Sequence, residues 1–244
     1  MKLVRLKILV LPVFTKERND KMEDFRIKYR PQDMSEIWGN ECLKKRWAGY
    51  LRRKSPPKSI ILHGNYGVGK TTLARIIGGD ILKLRDNNFG LSGGFHELDS
   101  TKLDSENLRG FLSKITGYVH GTTVLFFDEF QRMPPKAQEI LLKPVEEDDD
   151  LFCVFATTDM NSIDGGIQSR SDKFIIQKPS MAILIEKLTE IAEKEDIEIT
   201  KEALGFLIEL ADYSPRECLG NLYSFGGSDG IIDGKVVQQF LNPD

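Results

Sequence analysis

Hydrophobic residues recur along the first three quarters of the chain as short, nearly unbroken runs, separated by stretches in which they recur at helical spacing. Such runs are typical of strands covered on both faces, and their alternation with helical stretches predicts parallel β-α-β units. We therefore predict a parallel sheet sandwiched by helices. The predicted strands are Ile60–Leu62, Val124–Phe127, Leu151–Ala156, Phe174–Ile176 and, with a weaker pattern, Phe95–Leu98.

The pattern changes after Pro179, where apolar residues follow one another at intervals of three and four positions. This spacing predicts amphipathic helices, for which Thr200 fits a start and Gly226 a stop. We therefore expect a small helical domain over residues 180–244, after a sheet domain over residues 23–179.

Residues 1–22 are expected to form an N-terminal extension. The apolar run from Met1 to Phe14 is interrupted by Arg5 and Lys7, and no small-residue cleavage site follows it. The run is also too short to span a bilayer, so neither a targeting segment nor a membrane anchor is expected. Met22 is a plausible alternative initiator.

Composition limits the classes of partner. Of the 244 residues, 40% are hydrophobic and 29% charged, and 34 basic against 37 acidic side chains give a net charge of −3. Because this charge does not attract polyanions, any contact with nucleic acid must come from a local patch. The three cysteines include no C-x-x-C pair, which indicates neither a disulfide framework nor a zinc site and favours a reducing, cytoplasmic setting.

A glycine-rich segment stands between the first predicted strand and the helical stretch after it. It matches the phosphate-loop pattern G-x-x-x-x-G-K-[ST] in the required strand-to-helix context, although the pattern alone also fits an ordinary glycine turn. Glycines let backbone N–H groups close around phosphate oxygens. We predict that Lys70 contacts the β- and γ-phosphates, that Thr71 binds Mg²⁺ and that Thr72 lies near the α-phosphate. The loop comprises Gly64, Asn65, Tyr66, Gly67, Val68, Gly69, Lys70 and Thr71.

Two carboxylates, Asp128 and Glu129, follow the apolar run 124–127. In isolation such a pair could simply face solvent. Beside a phosphate loop, however, Asp128 can hold Mg²⁺ and Glu129 can polarise a water for in-line attack on the γ-phosphorus. The separation from Lys70 leaves room for one more helix and strand, and the two motifs together predict a site for ATP and Mg²⁺.

Seven motifs occur in a fixed order along the chain. They are Lys28–Pro31, Ile37–Asn40, the phosphate loop, the Asp128–Glu129 strand, Ala156–Asp159, Ser169–Ser171 and Ser214–Arg216. This order resembles that of the AAA+ clamp-loader ATPases, in particular the small subunits of replication factor C, their phage counterparts and the bacterial DnaX-type subunit. The resemblance spans about residues 25–240. It implies an α/β AAA+ fold with strand order 5-1-4-3-2, a helical lid and ATP hydrolysis.

The resemblance also implies roles for individual side chains. Thr158 matches sensor 1, which contacts the γ-phosphate or the attacking water, and Arg216 matches sensor 2 of the lid. Arg170 matches the arginine finger, which in this family reaches the ATP of the neighbouring subunit; from the residues alone, a surface ion pair is also open. The segment that wraps the adenine corresponds to Tyr29, Arg30, Pro31, Ile37 and Trp38.

Some features depart from the family pattern. The family's S-R-C motif ends in Ser171 here, and the four-cysteine zinc module of bacterial subunits is missing. Pro144 falls where the family has a continuous helix, so we predict a kink or an early helix end, which puts contacts of Glu146 or Glu147 in doubt. The sequence stops at Asp244, before the family's collar domain, and we expect assembly to involve a partner or a longer chain.

Two groups of basic residues are candidates for DNA contact. In the resembling proteins, positive helix ends follow duplex phosphates, but solvated helix faces explain such charges equally well. The first group is Lys44, Lys45, Arg46, Arg52, Arg53, Lys54 and Lys58; the second is Lys102, Arg109 and Lys114.

These observations predict an ATP-binding and ATP-hydrolysing subunit of a sliding-clamp loader. Its cofactors would be ATP and Mg²⁺, and its partners other clamp-loader subunits, a sliding clamp and primer–template DNA. Two alternatives stay open. One is an AAA+ ATPase for another DNA transaction, such as helicase loading or Holliday-junction migration, and the other is a nucleotide-binding assembly module without catalysis.

Overall fold

The computed structural model describes residues 23–85, 94–118, 121–227 and 230–241. The predicted extension over residues 1–22, with Met22, lies outside these ranges, as does Asp244. Within them, no helix combines the length and the apolar character that crossing a membrane requires. The strands are β1 Ser59–His63, β2 Phe95–Asp99, β3 Thr123–Asp128, β4 Leu151–Thr157 and β5 Asp172–Ile175.

Ten α-helices surround and follow these strands in the described ranges. Short 3₁₀ turns, such as Phe130–Arg132 after β3, connect several of the elements. The helices are α1 Phe25–Lys28, α2 Glu41–Arg53, α3 Lys70–Arg85, α4 Ser105–Tyr118, α5 Pro135–Glu147, α6 Gly165–Arg170, α7 Met181–Lys194, α8 Lys201–Leu210, α9 Pro215–Phe225 and α10 Gly234–Leu241.

The five strands form one parallel sheet in the order β5-β1-β4-β3-β2. This confirms the predicted α/β fold and its strand order. Every predicted strand is present, but β5 begins two residues before the predicted start at Phe174. The missed residues, Asp172 and Lys173, are polar because β5 is an edge strand with one neighbour, β1.

The alternation of side chains along the strands divides the core into two layers. On β3, Val124 and Phe126 pack in one layer with buried side chains of α2 and α3. Leu125 and Phe127 pack in the other layer with buried side chains of α4 and α5. Helices thus cover both faces of the sheet, which is why the central strands are apolar at every interior position.

The C-terminal helices build a separate apolar cluster from residues of α7, α8 and α9. Each of these helices begins at a hydroxyl side chain that accepts a backbone N–H of the first turn, from Ser180, Thr200 and Ser214 respectively. The predicted helix start at Thr200 is confirmed, and α9 ends at Phe225, just before Gly226. Phe25 of α1 is fully buried in the same cluster.

Of the two effects predicted for Pro144, the early helix end is wrong, because α5 continues to Glu147, and the kink stays a prediction. Pro144 removes one N–H from the helix, and its ring crowds the carbonyl of Ile140 one turn earlier. Val145 is buried against the sheet, and the Asp148 N–H donates to the Pro144 carbonyl at 3.2 Å. Packing therefore maintains the last turn, and Glu146 keeps a helical position.

Candidate active site

A cavity of about 680 Å³ lies between the carboxyl edge of the sheet, the N-terminal segment and the start of α9. It brings together most residues of the predicted site, although they come from four separate parts of the chain. The predicted site residues that line it are Tyr29, Arg30, Pro31, Ile37, Trp38, Tyr66, Gly67, Val68, Gly69, Lys70, Thr71, Thr72, Asp128, Glu129 and Arg216.

The phosphate loop between β1 and α3 is fitted closely to the start of α9. Gly67 has a φ of +73°, in the left-handed region that favours glycine. A Cβ atom at Gly67 would lie 2.2 Å from the Ser214 Oγ. That Oγ donates to the Gly67 carbonyl at 3.2 Å and accepts the Glu217 N–H at 3.4 Å, as the cap of α9. The loop is therefore bonded directly to the helix that carries Arg216.

Lys70 begins α3 with its ammonium group held inside the loop. Its Nζ donates to the carbonyl oxygens of Gly64 at 2.9 Å and Asn65 at 2.8 Å. Burial lowers the pKa of Lys70, while the nearby carboxylates of Glu129 and Asp128 act in the opposite direction. These contacts place a positive charge where phosphate oxygens would enter the loop.

Thr71 and Asp128 place two oxygens side by side. The Thr71 Oγ1, in the first turn of α3, donates to the Asp128 Oδ2 at 3.0 Å, and Asp128 ends β3. A hydroxyl and a carboxylate are the hard oxygen ligands that Mg²⁺ prefers when it also keeps waters and phosphate oxygens. The donor set therefore fits a magnesium ion, which Thr71 and Asp128 would hold.

Glu129 follows the strand in a left-handed conformation, with φ 51° and ψ 42°. Its backbone N–H donates to the Asp128 Oδ1 at 2.9 Å. Its Oε2 accepts the Gln131 Nε2 at 2.7 Å and the Tyr66 hydroxyl at 3.4 Å. The carboxylate thus lies at the cavity wall, beside the loop and the two side chains that would hold magnesium.

The segment predicted to wrap the adenine links the cavity to the C-terminal helices. The Arg30 Nε donates to the Thr72 Oγ1 at 3.2 Å, on the phosphate-loop helix. The Tyr29 hydroxyl donates to the Glu195 carboxylate at the end of α7, and the Lys28 Nζ lies 2.6 Å from the same carboxylate. Burial and the hydrogen bond to Glu195 raise the pKa of Tyr29 to about 12.

Thr158 follows β4 at the same edge of the sheet as the phosphate loop. The Gly64 N–H donates to the carbonyl of Thr157 at 3.2 Å, which fixes the end of β4 against the start of the loop. The Thr158 N–H donates to the Gln131 Oε1 at 3.4 Å. Thr158 is therefore connected to Glu129 through the side chain of Gln131.

Arg170 lies near the amino ends of the strands, whereas the phosphate loop follows the carboxyl end of β1. It ends α6, and the hydroxyl of the next residue, Ser171, lies 2.5 Å from that of Ser59, the first residue of β1. The loop follows the other end of β1, and a strand of this length spans about 15 Å. The Arg170 Nε donates instead to the Glu146 Oε2 at 3.1 Å, and the Arg170 side chain is 41% exposed. The structure therefore does not bring Arg170 to the cavity of its own chain.

Comparison with known proteins assigns the central part of the chain to a family of ATPases. A family model described as "ATPase family associated with various cellular activities (AAA)" matches residues 60–179. The chain therefore contains an AAA ATPase domain. It is 28% identical over 239 residues to the DNA polymerase III subunit gamma/tau of Mycoplasma genitalium, across 88% of this chain and 40% of that protein.

Other relatives point the same way. Over 220 residues this AAA ATPase is 28% identical to the replication factor C small subunit of Methanococcus maripaludis strain C7, across 86% of this chain and 67% of that protein. The chain spans 40% of the Mycoplasma genitalium subunit and 67% of this small subunit. In fold it is similar to the RuvB Holliday junction branch migration motor of Thermotoga maritima, with a TM-score of 0.69, 23% identity, and 88% of this chain and 74% of that chain covered.

Some of the basic residues that are candidates for DNA contact pair with side chains of the same chain. Arg46 lies 3.1 Å from the Asp172 carboxylate and 4.6 Å from the centre of the Phe174 ring. Lys58 pairs with Asp149. These contacts favour a structural role for Arg46 and Lys58, whereas Arg109 lies on α4 with an exposed side chain.

Three contacts of the site were missed from the sequence. They are three hydrogen bonds: from the Gln131 amide to Glu129, from the Ser214 hydroxyl to the phosphate loop, and from Arg170 to the Glu146 carboxylate. Gln131 carried one local signal, a polar side chain two positions after Glu129. The partners of the other two are distant in sequence, so no local pattern pointed to them.

Proposed function

We propose that this AAA ATPase is the ATP-hydrolysing subunit of a sliding-clamp loader, in which the ATP of one chain is cut with help from its neighbour. One observation carries the proposal. A single cavity collects Lys70, the Thr71–Asp128 pair and Glu129 under Arg216, while Arg170 lies on the opposite edge of the sheet. Such a chain can bind a nucleotide in its cavity and present the Arg170 guanidinium to a neighbouring chain at the opposite end of the strands.

The residues of the cavity have complementary tasks in hydrolysis. Backbone N–H groups of the phosphate loop and the Lys70 ammonium bind the phosphates. Magnesium, when held by Thr71 and Asp128, neutralises charge on the phosphate oxygens. Glu129 orients a water for in-line attack on the γ-phosphorus and takes up its proton, which leaves ADP and phosphate.

Arg216 connects hydrolysis to movement of the C-terminal helices. It lies in the first turn of α9, next to the Ser214 hydroxyl that bonds the phosphate loop. A γ-phosphate contacted by both Lys70 and Arg216 holds α9 against the loop, and its release frees that contact. The orientation of the C-terminal helices therefore reports the state of the nucleotide, which is what a loader needs to grip and release a clamp.

The partners are proposed from the names of the relatives and from the position of Arg170. Both classes of relative are named as subunits, of DNA polymerase III and of replication factor C. A guanidinium that points away from its own cavity can stabilise the charge on a neighbour's γ-phosphoryl group. We infer that the chain works beside like subunits, with a sliding clamp and primer–template DNA as the objects of the assembly.

Replacement of the water-orienting carboxylate tests the catalytic part of the proposal. Glu129→Gln keeps the size of the side chain but removes its ability to take up a proton. We expect MgATP affinity within about twofold of the unchanged chain and a turnover rate lowered at least about 100-fold. Glu209→Gln, on the exposed face of α8, is the matched control and should leave both quantities unchanged. Unaltered turnover in the Glu129 variant would remove Glu129 from this role.

Stimulation by partners tests the clamp-loading part. A sliding clamp together with primed DNA should raise the ATP turnover of the assembled particle. A response to a replicative helicase or to a four-way junction, and none to the clamp, would favour another DNA transaction. Binding of ATP without hydrolysis under any of these conditions would favour the non-catalytic module.

A further inference from the structure

We propose that Gln131 is a positioning residue for ATP hydrolysis, whose side-chain amide holds the Glu129 carboxylate in its working orientation. The inference rests on the proposed function, because it takes Glu129 as the group that orients the attacking water. Gln131 lies in the short 3₁₀ turn that follows β3, two residues after Glu129.

The contacts of Gln131 define the orientation of its amide. Its Nε2 donates to the Glu129 Oε2 at 2.7 Å, and its Oε1 accepts the Thr158 N–H at 3.4 Å. A carboxylate only accepts and a backbone N–H only donates, so a reversed amide would lose both hydrogen bonds. A glutamine is thus suited to join these two partners, because one end of its side chain donates and the other accepts.

The contacts of Glu129 show how the hydrogen bond from Gln131 orients its carboxylate. Among the described residues, the polar side chains that contact its carboxylate converge on Oε2: Gln131 at 2.7 Å, the Tyr66 hydroxyl at 3.4 Å and the Arg132 Nε at 3.7 Å. Gln131 makes the shortest contact. Since a carboxylate is planar, fixing Oε2 restricts the directions in which Oε1 can present itself to a water.

The backbone cannot provide this restriction alone. The left-handed turn at Glu129 and the bond from its N–H to Asp128 fix the position of the Cα atom. The flexible part of the glutamate extends beyond that atom through several rotatable bonds. Gln131 restrains the far end, and through the Thr158 N–H it connects that end to the loop after β4.

Two substitutions test the role. Gln131→Met keeps a side chain of similar length and removes both hydrogen bonds. Gln131→Glu keeps an acceptor for the Thr158 N–H but places a second negative charge against Glu129. We expect both variants to lower kcat for MgATP hydrolysis by between about 10- and 100-fold, since a misplaced catalytic group costs this much. The Kd for MgATP and the Tm should stay close to those of the unchanged chain.

The controls separate this inference from the proposed function. Gln238→Met, on the exposed face of α10, should not alter kcat. In the Glu129→Gln background, Gln131→Met should cause little further loss, because the two residues act as one unit. Unaltered or faster turnover in Gln131→Met, full activity in Gln131→Glu, or an equal loss of affinity and Tm would overturn the role of Gln131. Full turnover in Glu129→Gln alone would instead overturn the proposed function.

Discussion

Gly67 shows how one residue sets the fit between the phosphate loop and the C-terminal helices. Gly67→Ala forces a Cβ atom to within 2.2 Å of the Ser214 Oγ and strains a φ of +73°. To remove this clash, the Ser214 side chain must give up its hydrogen bond to the Gly67 carbonyl and the one by which it caps α9. We expect the empty loop of the variant to relax away from this conformation, so that MgATP binding must restore it at a cost of about 1–2 kcal/mol. This cost corresponds to about tenfold weaker binding, which titration with a fluorescent ATP analogue would measure.

Gly79→Ala is the matched control, because it lies on α3 and a Cβ atom there meets no atom within 4 Å. Alanine is the better helix former by up to about 1 kcal/mol. This variant should bind MgATP normally and unfold at a slightly higher temperature. Equal affinities for the two variants would contradict the proposed fit between the loop and Ser214.

At the scale of residues, the sequence indicated which side chains gather at the cavity, but not the contacts that hold them there. The phosphate loop and the Asp128–Glu129 pair were recognisable because their chemistry needs fixed residue types at consecutive positions. The pairing of Arg170 with Glu146 depends on the packing of α5 beside α6, which no local spacing encodes. Ser214 looked only like a helix start, and its second bond, to Gly67, became visible with the fold.

Helix α5 provides a test at the scale of elements, because it contains an interior proline. Pro144→Ala would return an N–H to the carbonyl of Ile140 and relax the helix around it. We expect the free energy of unfolding to rise by about 1–3 kcal/mol, as measured by denaturant titration. Glu139→Ala, exposed on the same helix, should change it by less than about 0.5 kcal/mol. An unaltered or lower stability of Pro144→Ala would contradict the account of α5.

The elements themselves were largely predictable, and the errors have local physical causes. Strands covered on both faces are apolar at their interior positions, so β1, β3 and β4 were visible as runs. The start of the edge strand β5 was missed because Asp172 and Lys173 are polar. The predicted early end of α5 was wrong because burial of Val145 outweighs one lost hydrogen bond.

At the scale of the whole molecule, the two proposed functional sites of the chain, the cavity and Arg170, lie on different faces. The cavity opens at the carboxyl edge of the sheet, and Arg170 lies near the amino edge. The ion pair of Arg170 with Glu146 is largely exposed and worth at most about 1 kcal/mol. A neighbouring phosphate can therefore replace Glu146 as the partner of Arg170 at little cost.

The arrangement of parts was harder to predict from the sequence than the parts themselves. The change of pattern after Pro179 indicated a separate group of helices. The burial of Phe25 among those helices was not indicated, because α1 is a single turn far from them in sequence. The hydrogen bond of Tyr29 to Glu195 likewise needs the folded chain.

Mixing two inactive variants tests most directly the claim that the ATP of one chain is cut with the arginine of another. Glu129→Gln leaves Arg170 intact, and Arg170→Ala leaves the cavity intact. We expect Glu129→Gln alone to lose at least about 100-fold of the turnover of the assembled particle and Arg170→Ala alone to lose about 10³-fold or more. An equimolar mixture should recover a substantial part of that turnover. Full turnover by Arg170→Ala alone, or a mixture as inactive as its components, would contradict the account.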